Sequence, residues 1–239
     1  MKYRKFILFV LPISYFLLHY LYRMEKQEII EATIQHVKET LKEAEGGHDW
    51  WHIHRVWKTA QLIAAAEHAD ELVVSLGALL HDIADSKFHN GDETIGPRKA
   101  RQWLESINVD EPTIQHVENI ISHISFKGGN HQQAFKSKEL DIVQDADRLD
   151  AIGAIGIARA FNYGGFKNRP LYDPTISPNL TMNKEQYKHN TAPTINHFYE
   201  KLLLLKDRMN TVTGKNLAIQ RHEFMESFLK QFYYEWNAE

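Results

Sequence analysis

Apolar residues recur at helical spacing along most of this chain, and that period limits the folds open to it. Residues 25–45 show the pattern first, with Ile30, Ile34 and Val37 on one face among charged neighbours. A spacing of three or four residues places side chains on one side of an α-helix, whereas a strand needs alternation. The sequence has no convincing β-rich run. We therefore predict an all-α fold.

Capping residues and turn formers indicate where the helices begin and end. Gly46 and Gly47 follow the first helix, and Asp49 is placed to cap the second. Asp70 and Asp110 hold the same position before later apolar runs. The predicted helices span residues 25–45, 50–68, 71–84, 97–106, 110–123, 138–161, 194–210 and 214–236.

Residues 162–193 depart from this pattern, since they are rich in glycine and proline. Irregular segments of that length in compact domains are usually functional or disordered. We predict one helical domain over residues 24–239 with this segment as an irregular Gly/Pro-rich insertion.

An apolar stretch, Phe6 to Tyr22, follows a basic start. It is at the short limit for a membrane span, which needs about 20 apolar residues. Residues 1–23 are therefore either a membrane anchor or the product of a start assigned upstream of Met24. We expect a cytoplasmic protein, with membrane contact only if this stretch is a genuine anchor.

Composition removes several classes of function. The chain has no cysteine, which excludes disulfides, thiolate catalysis and cysteine-type zinc sites. Its net charge of −3 and lack of a long basic run argue against nucleic acid as a partner. A Walker-type phosphate loop is also missing from the sequence.

Four residues with metal-ligating side chains lie on or beside predicted helices. His81 and Asp82 end an apolar run, His52 lies upstream, and Asp147 lies downstream. Imidazole nitrogens and carboxylate oxygens suit Mn²⁺, Fe²⁺, Zn²⁺ or Mg²⁺. For His81 and Asp82 alone, a core histidine beside a capping aspartate would be the simpler explanation.

The context of these residues resembles the HD superfamily of metal-dependent phosphohydrolases. Arg55 follows His52 by one turn, and a small-residue run, 151–156, follows Asp147 and Asp150. The surroundings of His81 look like one bacterial subgroup described as nucleotide pyrophosphohydrolases. The resemblance implies an HD-type helical fold and His52, His81, Asp82 and Asp147 as ligands of a divalent ion, with Mn²⁺ favoured.

Nearby side chains are candidates for chemistry. Asp85 shares a helix face with Asp82 and could hold a water, and His123 is the best candidate for a general acid. A structural hydrogen bond is an equal alternative for each. Asp150 shares the face of Asp147 and is a candidate for orienting a ligand. His48 could join the ligands, although it more simply starts a helix.

Cationic and aromatic groups accompany these residues and could bind a nucleotide. A triphosphate needs fixed cations to neutralise its charge. In the insertion, an aromatic ring could stack on a base beside a lysine, although an ordinary surface loop would look the same. The predicted substrate-binding residues are Arg55, Lys87, Lys127, Arg148, Tyr163 and Lys167.

These residues lead to a functional hypothesis. We expect hydrolysis of nucleoside or deoxynucleoside triphosphates to a monophosphate and pyrophosphate, with water attacking the α-phosphorus. A phosphomonoesterase, a cyclic-nucleotide phosphodiesterase and a non-catalytic metal or nucleotide sensor stay open as alternatives. The sequence leaves the oligomeric state open.

Overall fold

The computed structural model describes residues 25–42, 49–84, 92, 94–124, 135–183, 186 and 189–239. All regular structure within these ranges is helical, which confirms the all-α prediction. One 3-10 helix, Leu202–Arg208, interrupts the series. The α-helices are α1 (Lys26–Thr40), α2 (Trp50–Glu67), α3 (Glu71–Leu80), α4 (Ile95–Ser106), α5 (Glu111–His123), α6 (Lys138–Asp150), α7 (Gly153–Phe166), α8 (Thr194–Glu200) and α9 (Val212–Trp236).

The predicted aspartate caps begin three of these helices. Asp49 accepts a hydrogen bond from the amide of His52, and Asp70 accepts from the amides of Leu72 and Val73. Asp110 begins α5 in the same way. These bonds satisfy amides that have no partner inside their own helix, so sequence alone sets the start of each helix.

Helix α3 forms the centre of the domain. Every residue from Leu72 to Leu80 is buried, and the helix packs against α1, α2, α5 and α6. A helix that is apolar on all sides belongs inside a core. The predicted helix over residues 71–84 ends earlier, because residues 81–84 form a turn at the edge of this core.

The helix predicted over residues 138–161 is in fact two helices. α6 ends at Asp150, and α7 begins at Gly153, whose φ of 73° lies in the left-handed region. A side chain there would be strained, and an added Cβ would lie 3.0 Å from Cβ of Arg221. Gly153 therefore lets the chain change direction directly after the helix that carries Asp147.

A buried aspartate fixes α9 to the back of α6. Asp145 is fully buried and accepts hydrogen bonds from the amides of Asn210 and Thr211. The oxygen Oδ2 of Asp145 would lie 2.4 Å from a Cβ at Gly214, so the close approach requires a glycine. The predicted helix 194–210 becomes α8 followed by the 3-10 helix, which leads into this contact.

The Gly/Pro-rich insertion starts later than predicted, because α7 extends to Phe166. Its described part is tied to α8 by backbone bonds from the amides of Thr194 and Ile195 to the carbonyls of Pro170 and Leu171. Tyr172 packs edge-on against aromatic rings of α9. The described part of the segment is thus irregular in conformation and is anchored to α8 and α9 at these points.

No helix in the described part of the chain is both long and apolar enough to span a bilayer. The apolar stretch 6–22 lies outside the described residues, so the two explanations for it stay predictions.

Candidate metal centre

Four side chains from three parts of the chain meet at one edge of the core. Nε2 of His52 lies 3.7 Å from Oδ2 of Asp82 and 3.6 Å from Oδ1 of Asp147. Nε2 of His81 lies 3.8 and 3.9 Å from the same two oxygens. These distances are too long for hydrogen bonds, and they suit atoms that share one ion about 2 Å from each.

His52, His81 and Asp147 form the tightest part of this cluster, since each offers one ligand atom within 4.8 Å of the other two. Asp82 approaches both histidines without belonging to that mutual set. Both imidazoles are 2% exposed, whereas the side chain of Asp147 is 42% exposed. The cluster is therefore buried on the histidine side and open to solvent beside Asp147.

The backbone holds His81 with one nitrogen facing the cluster. Nδ1 of His81 donates to the carbonyl of Ala78 at 2.8 Å, so the neutral ring carries its lone pair on Nε2. That Nε2 is buried and has no hydrogen-bond partner among the described residues. A buried polar atom without a partner is costly. A divalent ion bound to Nε2 would supply the missing interaction, so the residues fit a metal.

Asp150 orients His52 in the same way. Nδ1 of His52 donates to Oδ2 of Asp150 at 2.8 Å, which leaves Nε2 as the ligand atom. A carboxylate behind a ligating histidine fixes the ring and its tautomer. The geometry is as expected for the orienting role predicted for Asp150.

Two arginines surround this aspartate. Arg55 donates to both oxygens of Asp150, at 2.6 and 3.0 Å, and Arg159 donates to Oδ2 at 2.5 Å. Burial disfavours the ionised carboxylate, but hydrogen bonds from His52 and Arg55 and the charge of Arg159 outweigh it. The pKa of Asp150 therefore lies well below its ordinary value, and the carboxylate stays charged at neutral pH.

His123, the predicted general acid, ends α5. Its Nδ1 donates to the carbonyl of Asn119 at 2.8 Å, so the neutral ring has its basic nitrogen at Nε2. Its own carbonyl accepts from Gln144, which lies one turn before Asp147 on α6. The ring is half-buried against Phe135.

Arg148, a predicted substrate-binding residue, is held by hydrogen bonds to neighbouring parts of the fold. Its guanidinium donates to Asp145, to Gln144 and to the carbonyl of Arg208. Burial lowers its pKa, with Asp145 and Asp147 acting against that effect. These hydrogen bonds connect α6 to the 3-10 helix, and the substrate role of Arg148 stays a prediction.

Tyr163 and Lys167 lie at the end of α7 in an exposed group of rings and cations. The Nζ atom of Lys167 is 4.9 Å from the ring centre of Phe166 and 5.7 Å from that of Tyr163. The guanidinium of Arg169 is 5.5 Å from the Tyr163 ring. Tyr163 is 50% exposed, so its ring is accessible.

Several predicted residues lie outside the described part of the chain. They are Asp85, Lys87, Lys127 and the possible additional ligand His48. Their predicted roles stay predictions.

Arg159 is the residue that sequence reasoning missed. Nothing in its local sequence marks it, because Asp150, whose side chain it binds, is brought to it by the turn at Gly153. Arg159 lies 12 residues beyond Asp147 and across the break between α6 and α7, so no helical spacing from a predicted ligand marks it.

The fold and this cluster define an all-helical metal-binding protein of the hydrolase type. A family model described as the HD domain matches residues 50–152, the segment that contains all four candidate ligands. Together with the relatives below, this shows that the chain belongs to the HD domain superfamily.

The relatives cover most of the chain. The Bacillus subtilis protein YpgQ, described as uncharacterized, is 38% identical over 209 residues, which is 87% of this chain and 92% of YpgQ. An HD-superfamily hydrolase from Bacillus thuringiensis is 46% identical, with a TM-score of 0.73 over 90% of this chain and all of the relative. A structure of YpgQ in complex with ADP has a TM-score of 0.69 and 34% identity, over 87% of this chain and 95% of that one.

Proposed function

We propose that this protein is a metal-dependent phosphohydrolase that acts on nucleotides. The preferred substrates are nucleoside or deoxynucleoside triphosphates, and the products are a monophosphate and pyrophosphate. The observation that carries this proposal is the cluster of His52, His81, Asp82 and Asp147 at the open edge of the core.

The donor set favours a divalent ion that accepts both nitrogen and oxygen. We favour Mn²⁺, with Mg²⁺, Fe²⁺ and Zn²⁺ as alternatives, because two imidazoles and two carboxylates suit all of them to different degrees. An ion held there polarises a phosphoryl oxygen and lowers the pKa of a coordinated water. His52, His81, Asp82 and Asp147 would hold the ion.

Other side chains would handle the phosphates and the proton. Arg55 places a half-exposed guanidinium one turn from His52, where it can offset phosphate charge while it holds Asp150. His123 has its basic nitrogen at Nε2 and can move a proton at that atom. Asp85, Lys87 and Lys127 stay candidates for holding a water and the leaving pyrophosphate.

Two observations support a nucleotide as the substrate. YpgQ was crystallised with ADP, and this chain covers most of that relative. On α7, Tyr163 lies one turn beyond Arg159, whose guanidinium binds Asp150 behind His52, and Lys167 directly follows the helix. Tyr163 offers a ring for stacking on a base, and Lys167 a cation for phosphate.

Product analysis tests the proposal. Purified protein is incubated with Mn²⁺ and a panel of nucleoside triphosphates, diphosphates, monophosphates and cyclic nucleotides, and the phosphate products are separated. We expect pyrophosphate from triphosphates. Orthophosphate from monophosphates would indicate a phosphomonoesterase, and hydrolysis of cyclic nucleotides would indicate a phosphodiesterase. Nucleotide binding without turnover would identify a sensor and overturn the proposal.

A further inference from the structure

Arg159 connects α7 to the metal centre at a point behind His52. Its Nη1 atom lies 2.5 Å from Oδ2 of Asp150 and 3.2 Å from the carbonyl oxygen of Asp150. The same Oδ2 accepts the hydrogen bond from Nδ1 of His52. One nitrogen of Arg159 thus holds both the side chain and the backbone of the residue that orients a ligand.

The two arginines that bind Asp150 belong to different helices. Arg55 belongs to α2, the helix that carries His52, so any shift of α2 moves Arg55 and His52 together. Arg159 belongs to α7 and approaches from the far side of the turn at Gly153. It therefore fixes Asp150 relative to a second, independent helix.

We propose that Arg159 is a positioning residue of the metal centre, which acts through Asp150 to aim Nε2 of His52 at the other three ligands. The inference rests on the metal centre of the proposed function and is independent of the substrate. Arg159 lies beyond residues 50–152, the segment matched by the HD domain, so it comes from a part of the chain outside that common unit. Its side chain is 29% exposed, and Asp150 is 4% exposed, which places the contact away from bulk solvent.

Helix α7 carries both Arg159, proposed to position a metal ligand, and Tyr163, proposed to contact the nucleotide. Tyr163 lies one turn further along α7 and is half exposed, so the helix proposed to contact the nucleotide also holds Asp150 behind His52. Loss of Arg159 should weaken metal binding, whereas loss of Tyr163 should weaken only substrate binding.

Metal titration tests the inference without any substrate. Metal-free wild-type protein, Arg159→Lys and Arg159→Met are titrated with Mn²⁺, and free Mn²⁺ is followed by its electron paramagnetic resonance signal. We expect Arg159→Met to bind Mn²⁺ about tenfold more weakly or worse, since outer partners of ligands typically contribute about 10–100-fold. Arg159→Lys should recover part of the affinity, because it keeps the charge near Asp150.

Arg101→Met is the matched control. Arg101 also binds carboxylates, those of Glu105, Glu111 and Glu118, but on α4 and α5. Its replacement should leave Mn²⁺ affinity unchanged. Circular dichroism and thermal unfolding establish whether each variant is folded. If Arg159→Met does not fold, the Mn²⁺ affinity of Arg159→Lys is compared with that of wild type instead.

A double-mutant cycle shows whether Arg159 acts through Asp150. If it does, Arg159→Met should add little to the loss of affinity already caused by Asp150→Asn. Additive losses, or wild-type affinity in a folded Arg159→Met protein, would overturn the inference. A protein that binds Mn²⁺ and depends on Arg159, yet hydrolyses no nucleotide, would refute the proposed function alone.

Discussion

Asp145 and Asp147 lie two residues apart on α6 and face opposite sides of it. Asp145 is fully buried and accepts hydrogen bonds from the amides that begin α9, whereas Oδ1 of Asp147 lies 3.6 Å from Nε2 of His52. One aspartate therefore stabilises the fold, and the other belongs to the metal centre. In the sequence, the resemblance to HD phosphohydrolases is what singles out Asp147 as the ligand, because both aspartates precede the same small-residue run.

Asp145→Ala should destabilise the metal-free protein strongly. The change leaves Arg148 without its buried carboxylate and the amides of Asn210 and Thr211 without their acceptor. Removing one partner of a buried ion pair costs about 3–5 kcal/mol. Urea unfolding measures the difference. Asp147→Ala is the control and should change the free energy of unfolding little, and equal losses in both variants would contradict the two roles.

Asp82→Ala should remove Mn²⁺ binding and hydrolysis together while helix content stays nearly intact. The reason is that the helices and the core around α3 form without Asp82, whose carboxylate faces both histidines. Calorimetric titration measures Mn²⁺ binding, and circular dichroism measures helix content. His116→Gln is the control, because His116 bonds to Ser137 away from the cluster. Full metal occupancy in Asp82→Ala would exclude Asp82 as a ligand.

Tyr163→Ala should raise the KM for nucleotides and leave Mn²⁺ affinity unchanged. Stacking of a base on an aromatic ring contributes about 1–3 kcal/mol, and the low end suits a ring as exposed as this one. A rise in KM of roughly fivefold is therefore expected, measured by steady-state kinetics. Tyr234→Ala, at a comparably exposed tyrosine on α9, should have no effect. Unchanged kinetics in Tyr163→Ala would leave the base-binding surface unassigned.

His197 should make the fold less stable as the solution becomes acidic. Burial, with help from the charges of Lys201 and Arg169, lowers its pKa from 6.5 to about 4. The unfolded state therefore binds more protons than the folded state between these values, so stability is full above pH 6.5 and falls as pH drops toward 4. The loss attributable to His197 is up to about 3 kcal/mol.

Urea unfolding at several pH values tests this expectation. His197→Gln should show a flatter dependence between pH 6.5 and 4 than wild type. His68→Asn is the control, because His68 is exposed, and it should follow the wild-type curve. Parallel curves for His197→Gln and wild type would show that other groups cause the acid sensitivity.

Features set by neighbouring residues could be predicted from sequence. The caps Asp49, Asp70 and Asp110 lie next to the amides they satisfy, so local pattern is enough to place them. The candidate ligands could be predicted because the residues around His52, His81 and Asp147 resemble those of HD phosphohydrolases; residue chemistry alone left a structural explanation open for His81 and Asp82. His81 and Asp82 were expected to share an ion near a helix end, and the turn at residues 81–84 is consistent with that expectation.

Features set by distant residues could not be predicted. The break between α6 and α7 depends on a left-handed conformation at Gly153, and glycine within a helical pattern is compatible with either outcome. The hydrogen bonds of Arg148 depend on Asp145 and on the carbonyl of Arg208, which lies far along the chain. Likewise, the insertion looks like a loop by composition, and its packing depends on rings of α9.

The turn at Gly153 marks a point at which segments of related proteins could be joined into a chimaera. It falls directly after residue 152, where the match to the HD domain ends, so a chimaera joined there would keep all four candidate ligands within one unbroken native segment. The transplanted half would bring a new surface for the substrate. It would also need a guanidinium at the place of Arg159, because otherwise Asp150 would lose its anchor on α7. On the proposed role of Arg159, the metal affinity of such a chimaera would therefore depend on a side chain from the transplanted half.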